Sequence, residues 1–401
     1  MNKRNQLKKL LTKTEKTVRD RLSGLLTGKM FEKKDDDIYQ ASQWQMIWMN
    51  FRKHKLAIVS MWMIFVIYFI GIFCEILSPY DPHKYDSEKL RMPPQLIRFI
   101  SKEGIHLRPF VYGFKKERDP YTLKELYTVE KEQIFPIHFF IRGDEYKFWG
   151  LFKTDIHFFN VNIKNEEYMH LLGTDDMGRD QLSRIIYGTR ISTSIGFFGV
   201  FLSFLFGVII GGFSGYFGGI TDTLIQRVIE IIRSIPQLPL WMGLSAAIPA
   251  NWPPLWVYFS ITIILSFLGW TALARNVRSK FLSLREEDFV MAAKLSGASE
   301  FRIIMKHMVP SFFSHIIAQL TLSIPQMILA ETSLSFLGIG LRAPVISWGV
   351  LLMEAQNIRS VAISPWMLFP GLAVVVTVLV FNFLGDGLRD AADPYGYRGK
   401  R

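Results

Sequence analysis

Three stretches of this chain contain no charged residue over lengths that are rare in water-soluble proteins. They run for 18, 31 and 26 residues, at positions 57–74, 191–221 and 360–385. A helix needs about 20 mostly apolar residues to cross a bilayer, whereas core helices of soluble proteins are shorter and amphipathic. The sequence therefore predicts a membrane protein whose chain crosses the bilayer several times.

Six membrane-crossing helices are predicted, which makes the fold class mainly α. They cover residues 56–77, 191–216, 223–247, 255–274, 310–338 and 366–385. The third contains Pro236 and Pro239, which are expected to bend the part of the helix that follows them. The domain organisation is a first helix at 56–77, an insertion at 78–190, a core of five helices at 191–385 and a tail at 386–401.

The net charge of +12 raises the possibility of a nucleic-acid partner. Residues 1–56 hold 14 Lys and Arg against 6 Asp and Glu, a balance of +8, whereas residues 78–190 hold 18 against 17, a balance of +1. The basic excess thus flanks the membrane, which indicates anchoring to anionic lipid and no nucleic acid. Residues 1–55 are predicted to form a cytoplasmic tail with a basic amphipathic helix, a disordered tail being the alternative.

Loop charge predicts the orientation, because Lys and Arg concentrate in short cytoplasmic loops. Residues 275–306 hold seven of them and the tail after 385 holds four, whereas the loop between the third and fourth helices, 248–254, holds none. Both termini and residues 285–309 are therefore expected on the cytoplasmic side. The insertion is expected to face outward, since long domains cross regardless of charge.

The insertion contains short aromatic and β-branched runs, "IFPIHFFI" and "DIHFFNVNI", between turn signals. These runs predict an extracytoplasmic α+β or β-rich subdomain after the first helix. Residues 84–168 are much richer in aromatic side chains than a disordered linker, so a folded cap is favoured. This cap is expected to lie beside the mouth of the pathway and to help dock an external binding protein, with a passive structural extension as the alternative.

The stretch "FVMAAKLSGASEFRIIMKHMVP", residues 289–310, is amphipathic although it lies between two membrane helices. Ala292 and Ala293 present almost no side chain, Gly297 suits a turn between helices, and Ser299 can cap the second helix. Phe301, Ile304, Met305 and Met308 predict its apolar face. An ordinary connecting loop and a knob that docks into a soluble partner both remain open on these grounds.

The segment "AAKLSG", followed after nine residues by "HMVP", resembles the cytoplasmic EAA loop of binding-protein-dependent ABC importer permeases. The matching residues are Ala292, Ala293, Gly297 and Pro310, with His307 at a position where histidine is familiar in the peptide-importer branch. Met291 stands where the pattern has glutamate, and Val309 where it has leucine. The resemblance implies that residues 285–309 are coupling helices that fit a cleft in an ATPase subunit.

Further stretches resemble the C-type permease of oligopeptide and dipeptide importers: "HLLGTDDMGRDQLSRIIYGTRIS", "GYFGG", "ETSLSFLGIGL" and "FNFLGDGLRDAADPYGY". The resemblance covers residues 40–80 and 170–397. It implies a type I importer permease bundle in a prokaryotic inner membrane. It also implies a heterodimer with a second permease, two ATPase subunits and an extracytoplasmic substrate-binding protein. The cargo is expected to be peptides, with oligosaccharides as the alternative.

The chain carries no phosphate-binding G-x-x-x-x-G-K-[ST] loop, nucleophile elbow or zinc-protease motif. We therefore expect no enzymatic activity, no metal and no cofactor on this chain, with ATP and magnesium bound by the partner ATPases. The single Cys74 excludes a disulfide framework. Glu331, in the fifth helix, is a candidate pathway residue. A stand-alone secondary transporter and a membrane-anchored sensor are the rival classes.

Overall fold

A computed structural model describes residues 43–101, 104–118, 125–162, 167–249 and 251–392. The amphipathic helix predicted in the N-terminal tail falls within 1–42, and the tail beyond residue 392 follows the last helix. Both lie outside the described residues. The first described helix, α1, is Gln43–Phe51, and it leads directly into the membrane-crossing part of the chain.

Five described helices are long and apolar enough to cross a membrane. They are α2 (Lys55–Ile72), α4 (Gln181–Phe217), α7 (Pro254–Leu284), α11 (Phe313–Phe336) and α14 (Phe369–Ala392). The short helix α3 (Cys74–Leu77) extends α2. The helix α4 begins ten residues before the predicted span, because Asp180 caps it by accepting a hydrogen bond from the Ser183 amide.

The prediction of six continuous spanning helices is wrong at the third, where the chain forms two shorter helices. These are α5 (Gly219–Ser234) and α6 (Gln237–Ala246). Ile235 between them is extended, with φ −87° and ψ 130°, as expected for a residue that precedes proline. Pro236 therefore breaks the predicted helix instead of only bending it.

Close packing of α4 against α7 forms the centre of the bundle. Gly207, Gly211 and Gly215 of α4 recur at intervals of four, and a Cβ on any of them would collide with α7. At Gly215, for example, it would come within 2.7 Å of the Arg278 carbonyl oxygen. Small residues at this spacing let two membrane helices approach closely, which compensates for the lack of a hydrophobic driving force in lipid.

The insertion forms two antiparallel sheets. The first contains β1 (Arg98–Ser101), β2 (Gly104–Arg118) and β3 (Glu125–Pro136), and the second contains β4 (His138–Phe148) and β5 (Phe152–Asn160). Val111, Ile137, Val161 and Met169 are buried together, so the strands enclose a small core shared with the segment that leads into α4. The described part of the insertion contains one short 3₁₀ turn, Ser87–Lys89, beside these strands.

The remaining elements connect the long helices. They are α8 (Asp288–Leu295), α9 (Glu300–Arg302), the π-helical turn Ile303–Met308 and α10 (Val309–Ser311) between α7 and α11, and α12 (Trp348–Glu354), α13 (Ile358–Ile363) and the turn Pro365–Leu368 before α14. The predicted start of the fifth membrane helix at Pro310 falls in α10 instead. The chain breaks at Phe312 before α11 begins.

Candidate functional site

The stretch between α7 and α11 folds into a helical hairpin, residues 288–308, which we call the coupling hairpin. Its tip turns at Gly297, whose φ of +74° lies in the left-handed region that glycine adopts without strain. The Gly297 amide donates to the Lys294 carbonyl at 3.0 Å and the Ala298 amide to the Ala293 carbonyl at 3.1 Å. These bonds end α8 and reverse the chain, as predicted.

The base of the coupling hairpin is fixed to the helix bundle by apolar burial. Val290, Ile303 and Met308 are buried in one cluster with Phe281 of α7 and Ile316 of α11. Burying side chains of this size stabilises a contact by about 1.5–3 kcal/mol each. A force applied to the hairpin is therefore transmitted directly to two membrane-crossing helices.

The outer surface of the coupling hairpin combines small and apolar side chains. Ala292 and Gly297 are exposed, Ala293 is half-buried, and a Cβ placed on Gly297 would touch nothing. Five large apolar side chains around them are exposed: Phe289, Met291, Leu295, Phe301 and Met305. Leu295 is 87% exposed, a costly arrangement in water unless another surface covers it.

Two expectations about the second helix of the hairpin are corrected by the structure. Ser299 occupies the N-cap position of α9, but its side chain makes no capping hydrogen bond. The predicted apolar face is also divided, since Ile304 and Met308 are buried whereas Phe301 and Met305 point outward. The π-helical turn causes this division, because its wider spacing rotates the side chains away from the positions of a regular helix.

His307 and Pro310 lie at the end of the hairpin that joins the bundle. His307 is half-buried on the π-helical turn, and Pro310 is exposed within α10. Among the described residues, no group of three or more His, Cys, Asp or Glu side chains is placed to hold a metal ion.

A polar face runs along α11 and continues on α7. Gln319, Ser323 and Gln326 of α11 border a cavity of about 130 Å³. Arg233 of α5 and Gln237 of α6 line the same cavity. Gln319 also borders a second cleft of about 330 Å³ at the hairpin end of the bundle, where Lys280, His315 and Arg389 meet. Polar side chains at membrane depth rarely face lipid, so this face borders a water-filled space or a partner helix.

The structure places Glu331 away from this polar face, fully buried between α4, α11 and α12. Its carboxylate accepts hydrogen bonds from Ser335 and Ser347 at 2.8 Å each and from Ser192 at 3.3 Å. These serines come from three different elements, so Glu331 joins them at one point. The sequence signal was the carboxylate within an apolar run, but its partners could not be read from spacing.

Sequence reasoning missed a cluster of buried charges at the opposite end of the bundle. Glu354 of α12 accepts hydrogen bonds from Arg179 at 3.0 Å and from Arg184 at 2.5 Å. Both arginines also pair with Asp175. Burial alone would raise the pKa of the Glu354 carboxyl, but hydrogen bonds and charge from Arg184 and Arg179 hold this pKa below its ordinary value.

The bundle of membrane-crossing helices thus carries a protruding helical hairpin that apolar burial anchors to α7 and α11. Two family profiles match the chain. Residues 207–395 match "Binding-protein-dependent transport system inner membrane component", and residues 42–94 match "N-terminal TM domain of oligopeptide transport permease C". The chain belongs to the family of binding-protein-dependent transport system inner membrane components. Residues 95–206, which contain the five strands of the described part of the chain, lie between the two matched regions.

Curated relatives carry names from peptide transport. The chain is 40% identical over 227 residues to the dipeptide transport system permease protein DppC of Bacillus subtilis, covering 56% of this chain and 68% of that one. It is 41% identical over 242 residues to the oligopeptide transport system permease protein OppC of Haemophilus influenzae, covering 60% and 75%. Among solved structures, an inward-facing MetNI methionine ABC transporter matches at 17% identity and a TM-score of 0.42, over 53% of this chain and 97% of that one.

Membership of this family makes the chain a multi-pass inner-membrane permease subunit of an ABC importer. Permease subunits of this family are not catalytic, and ATP hydrolysis resides in partner subunits. An ATPase partner and a substrate-binding protein follow from the family in general.

Proposed function

We propose that this chain forms half of the translocation pathway of an importer for dipeptides or oligopeptides, and that the coupling hairpin links it to a cytoplasmic ATPase. The observation that carries the proposal is the hairpin itself. Exposed small and apolar residues at its tip suit docking into a cleft, and a buried apolar base joins it to α7 and α11. Residues Ala292, Ala293, Gly297, Ser299, His307 and Pro310 belong to this docking element.

The names of the curated relatives favour peptides as cargo over oligosaccharides. Family membership disfavours a stand-alone secondary transporter and a membrane-anchored sensor, because both rivals leave the coupling hairpin without a role. ATP and magnesium would be held by the partner ATPases, with no cofactor on this chain.

The sixth membrane crossing is proposed to consist of α5 and α6 together. His54, before α2, lies 3.8 Å from Asp390 near the end of α14. The chain therefore enters and leaves the helix bundle on the same side. The number of crossings between these two residues must then be even, whereas the described helices that cross without a break number five. The pair α5 and α6, which totals 26 residues and is broken at Pro236, can supply the missing crossing.

The coupling hairpin lies on the same side as the two ends of the bundle. Arg190 in the first turns of α4 donates to the Gly71 carbonyl at the end of α2, so α4 begins where α2 ends. The far end of α4 then contacts the part of α7 next to the hairpin, at Gly215 and Arg278. Together with loop charge, this supports cytoplasmic termini, a cytoplasmic hairpin and an outward insertion.

A second permease subunit is proposed to cover α5 and α6, completing a heterodimer that binds two ATPases. Ile220, Leu224 and Ile231 project from α5 and are 81%, 63% and 65% exposed. Arg233 of α5 and Gln237 of α6 also line the cavity that Gln326 borders. The polar face of α7 and α11 would then be one wall of the pathway, and the partner permease would supply the other.

In this proposal, ATP binding draws the two ATPases and their docked hairpins together and rocks the helix bundles to open the pathway outward. The membrane chain performs no covalent chemistry. Glu331 joins α4, α11 and the N-terminus of α12 at a buried point away from the polar face. A direct contact of Glu331 with cargo stays a prediction.

The test is co-purification of the ATPases with a tagged form of this chain in the assembled transporter. Ala292→Trp adds a bulky side chain at an exposed helical position, so the chain itself should fold normally while docking is lost. Ala292→Ser is the matched control and should retain both ATPases. Full recovery of the ATPases with Ala292→Trp, together with normal peptide uptake, would contradict the docking role.

A further inference from the structure

The turn between β4 and β5 presents large apolar side chains where turns ordinarily carry polar ones. Trp149, Leu151 and Phe152 are 54%, 75% and 68% exposed. The two central residues, Trp149 and Gly150, have φ of +51° and +73°, and the Leu151 amide closes the turn on the Phe148 carbonyl at 2.9 Å. Backbone positions with φ in this left-handed region favour Gly, Asn or Asp, so a tryptophan there opposes the local backbone preference.

This turn is fastened to the end of the first membrane-crossing helix. The Trp149 indole N–H donates to the Ile72 carbonyl at 3.0 Å, and the Trp149 amide donates to Glu75 at 3.3 Å. The Arg190 guanidinium lies 4.7 Å from the centre of the Trp149 ring and forms an ion pair with Glu75. The tip of the second sheet is therefore held at the level where α2 ends.

The end of a helix that crosses the bilayer lies at the boundary between acyl chains and headgroups. Phe69 and Ile72 in the last turns of α2 are 44% and 45% exposed, and on a peripheral membrane helix such side chains face lipid. Phe73 stacks on Phe148 with ring centres 6.2 Å apart, which joins this apolar surface to the turn. The apolar surface therefore continues from the helix onto Trp149 and Leu151.

We propose that residues 148–152 form a lipid-contacting foot, which rests in the interfacial region of the bilayer and fixes the height of the insertion above the membrane. Tryptophan favours this region because its ring is apolar and its N–H is polar. The occupant is lipid because the turn adjoins a lipid-facing helix surface. This inference requires only that α2 crosses a membrane, and it is independent of the cargo and of ATPase docking.

The first sheet supplies a matched control. Leu107, in β2, is 100% exposed on the other sheet, and it borders a solvent-open cleft with His106, Arg108 and Phe110. It has the same side chain as Leu151 and belongs to the same insertion. Among the described residues, those that line this cleft belong to β2 and β3 and to no membrane-crossing helix.

The experiment places an environment-sensitive fluorophore on single cysteines, Leu151→Cys and Leu107→Cys, in the full chain carrying Cys74→Ala. Each protein is placed in phosphatidylcholine nanodiscs with nitroxide-labelled lipids, and quenching by the nitroxide and by aqueous iodide is measured. Position 151 should be quenched several-fold more by nitroxide lipid than by iodide, and position 107 should show the reverse.

Two outcomes would overturn the proposal. Strong iodide quenching at position 151 without nitroxide quenching would mean that the turn is in water. Protection from both quenchers would mean that protein, not lipid, covers it. A label at Phe152→Cys controls for any disturbance of the turn by Leu151→Cys. It must give the same result if residues 148–152 contact lipid.

Discussion

The coupling hairpin and the strands at 98–160 both project from the helix bundle, but they are attached to it by different chemistry. Apolar side chains anchor the hairpin, with Val290 and Met308 buried against Phe281. The insertion meets the end of the first membrane-crossing helix through polar contacts: the Trp149 indole N–H donates to the Ile72 carbonyl at 3.0 Å, and the Trp149 amide donates to Glu75 at 3.3 Å. Because its apolar base packs into the bundle, the hairpin is expected to move with α7 and α11. Hydrogen bonds at the end of a helix, by contrast, attach the insertion without changing how the bundle packs.

The two regions also differ in how far the family accounts for them. The coupling hairpin lies inside the region matched by the permease family, and the strands lie between the two matched regions. We therefore expect changes in the hairpin to affect transport itself, and changes in the strands to affect how efficiently the external partner engages.

The sharpest test of the comparison is which side of the membrane each region occupies. A cysteine at exposed Ser87, in the insertion, should react with a membrane-impermeant thiol reagent in intact cells. A cysteine at exposed Ser296, in the hairpin, should react only after permeabilisation. Each cysteine is introduced into the Cys74→Ala chain, and labelling of the chain is measured. In intact cells, labelling is expected to be complete at position 87 and absent at position 296. Reaction at Ser296 in intact cells would contradict the proposed orientation.

The next largest effect is expected from Gly297→Trp. A bulky side chain at the tip should keep the hairpin out of the ATPase cleft and lower peptide uptake by about thirtyfold or more, since a lost central contact costs roughly 2 kcal/mol. Membrane insertion and abundance should stay near normal. Gly297→Asn tolerates the left-handed backbone and is the control. Ala293→Arg should act like the tryptophan variant.

Removal of the strands should have a smaller effect. The Met92 amide donates a hydrogen bond to the Thr174 hydroxyl, and the Gln95 side chain accepts one from the His170 amide, both in the segment before α4. The replacement is therefore best limited to residues 97–161. A short flexible linker there should leave ATPase assembly intact and lower uptake several-fold at limiting binding protein, with partial recovery as that protein is raised. Unchanged uptake under limiting conditions would favour a passive extension.

The smallest effect concerns the acid dependence of stability. The pKa of Glu354 is lower in the folded protein than its ordinary value of 4.5, so this group stabilises the fold above about pH 4.5 and the contribution is lost as the pH falls below it. Thermal unfolding in detergent should show a loss of a few degrees over that interval, and Glu354→Gln should flatten this part of the profile. Glu230→Gln, in an exposed pair, is the control.

Local patterns in the sequence were sufficient to predict the membrane class, the turn at Gly297 and the strands' location. These features depend on apolar run length, on backbone freedom and on neighbours within a few residues, so they can be read along the chain. The family resemblance further predicts that Ala292, Ala293 and Gly297 belong to a docking element.

The tertiary structure decided what depends on residues far apart in the chain. It paired Glu354 with Arg184 across 170 residues, buried Glu331 among serines of three elements, and divided the apolar residues of the hairpin through a π-helical turn. It also brought Trp149 to the end of α2. Spacing along the chain carries no information about such contacts, because they arise from the packing of helices and strands whose relative positions only the folded chain defines.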